Sequence, residues 1–171
     1  MHAQNSTISI GLVNPKSAVN VGSILRACGC FGAASVFYTG ERFNHASKFN
    51  ADTKKMRRQI PTVGTDDLLA MKPSGAQTVI VELVEGAVPL PDFVHPENAF
   101  YIFGPEDGTV PAELVEQGDH VVYIPTRNSL NLAATANVVL YDRLAKSDFK
   151  SGDDLIRASR DNNNNVKRAR L

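Results

Sequence analysis

Ala99-Phe100-Tyr101-Ile102-Phe103-Gly104-Pro105-Glu106-Asp107-Gly108 reads as a buried strand running into a polar, glycine-bounded loop. Five apolar or aromatic residues in succession suit a strand covered on both faces, as in parallel sheets. Open α/β sheets bind their ligands beyond the carboxyl ends of such strands. The loop from Gly104 to Gly108 is therefore a candidate ligand loop, although glycine and proline after a strand also suit a simple turn.

Working outward, the chain alternates strands and helices. Thr78 to Val84 is a second apolar run, joined to the first through Pro89, Pro91 and Pro96. Pro111 opens a short helix to about Gln117, and His120 to Ile124 is a strand stopped by Pro125. A helix from about Asn131 to Lys146 follows, with Leu132, Ala136, Val139, Leu140 and Leu144 on one face. Toward the N-terminus, Ile8 to Val13 and Ser35 to Tyr38 read as strands. Val21, Ile24, Leu25 and Cys28 set a helix from Ala18 to Cys30 between them. Thr65, Asp66 and Asp67 predict another helix start. The segment from Gly40 to Gln59 is polar, basic and aperiodic, a candidate functional loop with a helical turn near Thr53 to Arg58. The pattern predicts an α/β fold, a mostly parallel sheet with helices on both faces. Residues 1–150 form the expected domain. Residues 151–171 form a basic extension with a short helix from Ser151 or Asp153 to Arg160, then a disordered run of asparagines.

Composition narrows the function. The chain has 171 residues, 43% of them hydrophobic, which suits one globular domain. It contains no apolar run of about 18 residues and begins with a polar stretch, so a cytoplasmic location is expected. Cys28 and Cys30 lie two apart on a helix, which favours buried free thiols over a disulfide, and the four histidines are scattered, so no metal site is expected. Net charge is zero, which disfavours holding nucleic acid by bulk charge. Local basic clusters remain at Lys54, Lys55, Arg57 and Arg58 and in the C-terminal tail; RNA contact and a solvated surface explain them equally well. Neither a Gly-x-Gly-x-x-Gly nor a P-loop is present, which counts against an oxidoreductase or kinase.

Two further segments carry polar residues that a plain core does not need. One is Asn20 with Arg26, six residues on along the first helix. The other is Ile124-Pro125-Thr126-Arg127-Asn128-Ser129-Leu130-Asn131-Leu132, where Asn128 or Ser129 is a candidate helix cap. With Phe-Gly-x-Glu at Phe103 to Glu106, these three motifs, in this order, resemble the SpoU/TrmH branch of the SPOUT RNA methyltransferases. The resemblance runs from about Ile8 to Lys146. It departs from the usual pattern in placing Gly108 two residues after Glu106 instead of three, and Asp142 where Glu is commoner.

The resemblance implies a C-terminal deep trefoil knot, a homodimer that completes each site, and S-adenosylmethionine as cofactor. It implies methyl transfer to a ribose 2′-hydroxyl of RNA, with tRNA favoured over rRNA because the chain resembles the minimal members. Arg26 would orient phosphate and hydroxyl and stabilise the developing alkoxide, while Asn20, Glu106, Ser129 and Asn131 hold arginine and substrate. Leu83, Gly104, Ile124, Ser129, Leu130 and Ala133 would surround the cofactor. Lys54, Lys55, Arg57 and Arg58 would contact RNA phosphates, and Tyr38, Phe43 and Phe49 are candidates for stacking on a base. Two alternatives share the fold: a non-catalytic RNA-binding protein and a SPOUT base methyltransferase.

Overall fold

The computed structural model describes residues 6–47, 57–161 and 163. Its centre is a seven-stranded sheet, parallel throughout: β1 (Ile8–Leu12), β2 (Ser35–Tyr38), β3 (Thr62–Gly64), β4 (Gln77–Val81), β5 (Val88–Pro89), β6 (Ala99–Phe103) and β7 (His120–Tyr123). The order across the sheet is β3-β2-β1-β6-β4-β7-β5. From β1 the chain winds outward to one edge, then crosses over and builds the other half. The point of reversal lies between β1 and β6, where open α/β sheets place their ligands. Leu12 pairs with Phe103, which pairs with Val81, and Val81 pairs with Val122. This register brings the carboxyl ends of four strands level, so the loops that follow them meet in one place.

The central strand β6 shows why the sheet is double-sided. Its residues are all buried: Ala99, Tyr101 and Phe103 face the larger core, while Phe100 and Ile102 face the smaller. On β1, Ile8, Ile10 and Leu12 join the larger core. Gly11 faces the other way, and a Cβ there would lie 3.0 Å from the Phe100 ring, so the glycine makes room for the aromatic side chain.

Two 14-residue helices, α1 (Ala18–Phe31) and α4 (Leu132–Ala145), pack together over the larger core. α1 starts at Ser17, whose Oγ accepts the Asn20 N–H, and ends at Gly32 with φ 75°. α4 is capped by Asn131, whose Oδ1 accepts the Ala133 and Ala134 N–H groups; Asn128 and Ser129 are not its caps. Leu132, Ala136, Val139 and Leu140 are buried as the periodicity predicts, with Ala133 beside them. Shorter helices are α2 (Arg42–Ser47), α3 (Ala112–Glu116) and α5 (Asp153–Ser159). Among the described residues no helix is long and apolar enough to cross a membrane.

Some expectations need correction. Thr65 begins an Asx/ST-type turn instead of a full helix. Thr65 Oγ1 accepts the Asp67 N–H, and Asp67 caps a single 3-10 turn, Leu69–Met71, which Pro73 prevents from continuing. β3 and β5 are strands that the sequence pattern does not mark: both are short, at the sheet's edges, and lack an apolar alternation. Cys28 is buried, its thiol pushed up to about 12 by burial, but Cys30 is exposed on the opposite side of α1. The helical turn expected at Thr53 to Arg58 lies mostly outside the described residues, as do Phe49 and nearly all of the asparagine run.

Candidate active site

Beyond the level ends of β1, β6, β4 and β7 lies a cavity of about 660 Å³. Lys16, Ser17 and Asn20 line it from the start of α1, and Gly104, Pro105, Glu106 and Gly108 from the loop after β6. Glu82 and Leu83 follow β4, and Ile124, Thr126 and Ser129 through Leu132 follow β7. Two large apolar side chains stay open to solvent there, Leu83 at 58% and Leu130 at 40% exposure. At Gly104 a Cβ would stand 3.2 Å from Glu82 Oε2 and from the Val110 nitrogen, so only glycine leaves this wall undisturbed.

A continuous hydrogen-bond chain ties the rim together. Glu106 Oε2 accepts the Lys16 N–H at 2.8 Å, and its Oε1 accepts the Ser17 N–H at 2.9 Å and Asn20 Nδ2 at 3.0 Å. Asn131 Nδ2 donates to Asn20 Oδ1 at 3.0 Å, and Asn131 Oδ1 caps α4. Residues more than 80 positions apart in sequence thus fix the starts of α1 and α4 against the β6 loop. Partial burial raises the Glu106 pKa, but the Asn20 amide and the two backbone donors outweigh it and hold the carboxyl below its ordinary value. The positive end of α1, whose first residues donate to it, favours the same ionised form.

Next along the loop, Asp107 accepts from Arg42 at 2.9 Å and lies 3.6 Å from Lys16 Nζ. Arg42 also donates from its Nε to the Asn14 carbonyl at 3.1 Å. The short Glu106-to-Gly108 spacing is thereby anchored from outside, with Asp107 turned to α2 while Glu106 faces α1.

The predicted site residues fall into three groups. Asn20, Glu106 and Asn131 form the bonded chain; Leu83, Gly104, Ile124, Ser129 and Leu130 line the same cavity. Ala133 lies just behind it, buried in the core with its N–H on Asn131. Arg26 stands apart: it is exposed on α1, does not line this cavity, and has no polar partner among the described residues. Asn20, Glu106, Ser129 and Asn131 do not hold it, contrary to what the resemblance implies. Tyr38 and Phe43 are buried and stacked edge-to-face on each other at 5.0 Å, so neither offers a face to a base. Arg57 lies over the Phe43 ring, Arg58 is exposed, and Lys54 and Lys55 lie outside the described residues. No group of metal-ligating side chains occurs among the described residues. The sequence reading missed Glu82, whose signal was a lone charge inside an otherwise apolar strand run.

The SpoU rRNA Methylase family profile matches residues 7–141, from the start of β1 to the last turns of α4, and so takes in every motif of this rim. The chain belongs to the SpoU rRNA methylase family. No curated protein sequence gives a significant match. Among solved structures, this SpoU-family chain is similar to the A. aeolicus TrmH/SpoU tRNA modifying enzyme, at 25% identity over 83% of this chain and 75% of that one, TM-score 0.71. It is also similar to an AdoMet-bound rRNA methyltransferase from Sinorhizobium meliloti, at 21% identity over 85% of this chain, TM-score 0.69. The chain spans 58% of that protein's length. A third similar structure, described as giving insight into 2-OH methylation of C/U34 on tRNA, is 21% identical over 82% of this chain and 90% of that one, TM-score 0.65.

Proposed function

We propose that this SpoU-family protein is an S-adenosylmethionine-dependent RNA methyltransferase. It acts in the cytoplasm as a knotted homodimer and methylates a ribose 2′-hydroxyl of tRNA. The observation that carries the reading is the Glu106–Asn20–Asn131 chain bonded across the mouth of one cavity. The cavity suits the cofactor: it is large enough, and Leu83 and Leu130 offer apolar surface for a purine. Bound there, S-adenosylmethionine supplies a methyl group on a sulfonium, open to in-line attack.

The chain's own residues do the positioning, which supplies much of the rate in such a displacement. Glu106 and Asn131 hold the starts of α1 and α4 in one arrangement, and Asn20 links them. Arg26, free on the outer face of α1, serves the cavity of a second copy. There it orients the ribose and phosphate and stabilises the developing alkoxide. The C-terminal part of α4 is bonded to the segment from Leu90 to Glu97, an arrangement in keeping with the family's knot. The tRNA preference follows the likeness to the A. aeolicus tRNA modifying enzyme.

The test is transfer of radiolabelled methyl from S-adenosylmethionine to bulk tRNA and rRNA, followed by alkaline hydrolysis. Label in alkali-resistant dinucleotides of tRNA supports ribose methylation. Label in mononucleotides identifies a base methyltransferase instead, and no transfer to either RNA overturns the enzymatic reading.

A further inference from the structure

Among the described residues, Glu82 is the one carboxylate besides Glu106 that lines the cavity. It stands at the carboxyl end of β4, directly after Val81, where the fully buried part of the strand ends. Its contacts leave its acceptor capacity unequally used. Oε2 accepts Thr109 Oγ1 at 2.9 Å and the Val110 N–H at 2.8 Å, which fills its two lone pairs. Oε1 accepts only the Leu83 N–H, at 2.8 Å, among the described residues. No cation pairs with Glu82 among the described residues. The carboxylate is therefore held rigidly by three donors, on a cavity wall, with one acceptor position to spare.

Its neighbourhood decides what that position takes. Glu82 Oε2 and the Val110 nitrogen each lie 3.2 Å from where a Cβ at Gly104 would be, so the carboxylate packs against the bare Gly104 backbone. Leu83 and Leu130, lining the same cavity, provide the apolar surface for a purine. A fixed carboxylate at a strand end, on the wall of a cavity with apolar surface for a base, matches the chemistry that recognises a ribose hydroxyl in nucleotide sites generally. We infer that Glu82 is a cofactor-binding residue: its Oε1 accepts a hydroxyl of the ribose of an adenosine ligand in this cavity. The inference rests on the proposed cofactor reading and adds a charged side-chain contact to that site.

The test crosses protein with ligand. Wild-type protein and Glu82→Ala are titrated by calorimetry with S-adenosylhomocysteine and with its 2′-deoxy and 3′-deoxy counterparts. Thermal melts show that both proteins are folded. A charge-assisted hydrogen bond predicts that wild type binds one of the deoxy ligands about tenfold or more weaker than the parent. Glu82→Ala loses most of that difference, binding parent and deoxy ligand nearly alike. If Glu82 only ties the β6 loop to β4, the variant weakens all three ligands by the same factor and keeps the wild-type discrimination between them. That result overturns the inference and leaves the cofactor reading intact. If folded wild type binds none of the three, the cofactor reading itself fails, and the inference with it.

Discussion

Two polar networks hold α4 in place, one at each end, and they are built differently. At its start, Asn131, Asn20 and Glu106 form a chain exposed along the cavity rim. At its end, Asp142, Arg143 and Lys146 are bonded to the segment between β5 and β6. His95 Nε2 and Lys146 Nζ lie 2.8 and 2.7 Å from the same Asp142 oxygen. His95 Nδ1 is 2.6 Å from the Tyr101 hydroxyl, Arg143 donates to the Pro96 and Glu97 carbonyls, and Lys146 donates to those of Leu90 and Phe93. The second network is half-buried, its partners part backbone and part side chain, and His95, Arg143 and Lys146 line a second cavity of about 480 Å³. The first is exposed and borders the cavity of about 660 Å³. Both join segments distant in sequence, so the difference lies in place: the clamp fastens the last helix to the segment before β6, and the rim shapes the site where the ends of β1, β6, β4 and β7 meet.

The comparison predicts that lesions at the rim cost activity while lesions at the clamp cost stability. Arg26→Ala has the largest expected effect. Methyl transfer falls about 100- to 1000-fold, as for loss of a group that stabilises developing charge. The melting temperature hardly moves, because Arg26 is exposed and has no polar partner among the described residues. A large fall in melting temperature would give Arg26 a structural role. Glu106→Gln comes next: it turns one acceptor of the Lys16, Ser17 and Asn20 donors into a donor. Misplacing the rim in this way lowers the methyl transfer rate by up to about 100-fold. Asp142→Asn reverses the pattern. Breaking the clamp's shared carboxylate costs about 1–2 kcal/mol, read as a fall of about 3–6 °C in melting temperature, with cofactor affinity unchanged. Weakened cofactor binding in that variant would erase the distinction between the two ends.

The smallest effect is the pH dependence, and its sign differs in origin at the two ends. Burial holds the His95 pKa below its ordinary 6.5; the hydrogen bond and charge of Asp142 pull it up, and the charges of Arg143 and Lys146 push it further down. The unfolded chain therefore takes up a proton near pH 6.5 that the folded protein takes up only at lower pH. Stability declines as pH falls through 6.5 toward the folded value. Glu106 is depressed from its ordinary 4.5, so its contribution is present above that pH and is lost at lower pH, as the folded carboxyl protonates. Acid thus loosens the clamp before the rim. Chemical denaturation at a series of pH values checks this, and His95→Gln should flatten the step near pH 6 while leaving the lower one.

Legibility in the sequence follows the same division. The rim is legible because Asn20, Glu106 and Asn131 sit at fixed offsets after strong apolar strands. The clamp is not. His95 and Asp142 are 47 residues apart, and nothing in helical or strand periodicity says that α4 ends under the segment preceding β6. Long apolar elements such as β6 and α4 were placed to within a residue or two. β3 and β5 were missed because each is two or three residues at a sheet edge, specified by its neighbour's free edge more than by its own side chains. The resemblance puts Arg26 in the site, but on α1 it is exposed and away from the cavity, a placement that its spacing to Asn20 does not reveal.

The most direct test of the central claim, that the rim encloses a methyl-donor site, is calorimetric titration of the purified protein with S-adenosylmethionine, with NAD and ATP as controls. The account predicts saturable binding near one site per chain, with neither control binding. A folded protein that does not bind S-adenosylmethionine, or that binds NAD or ATP in its place, would contradict it.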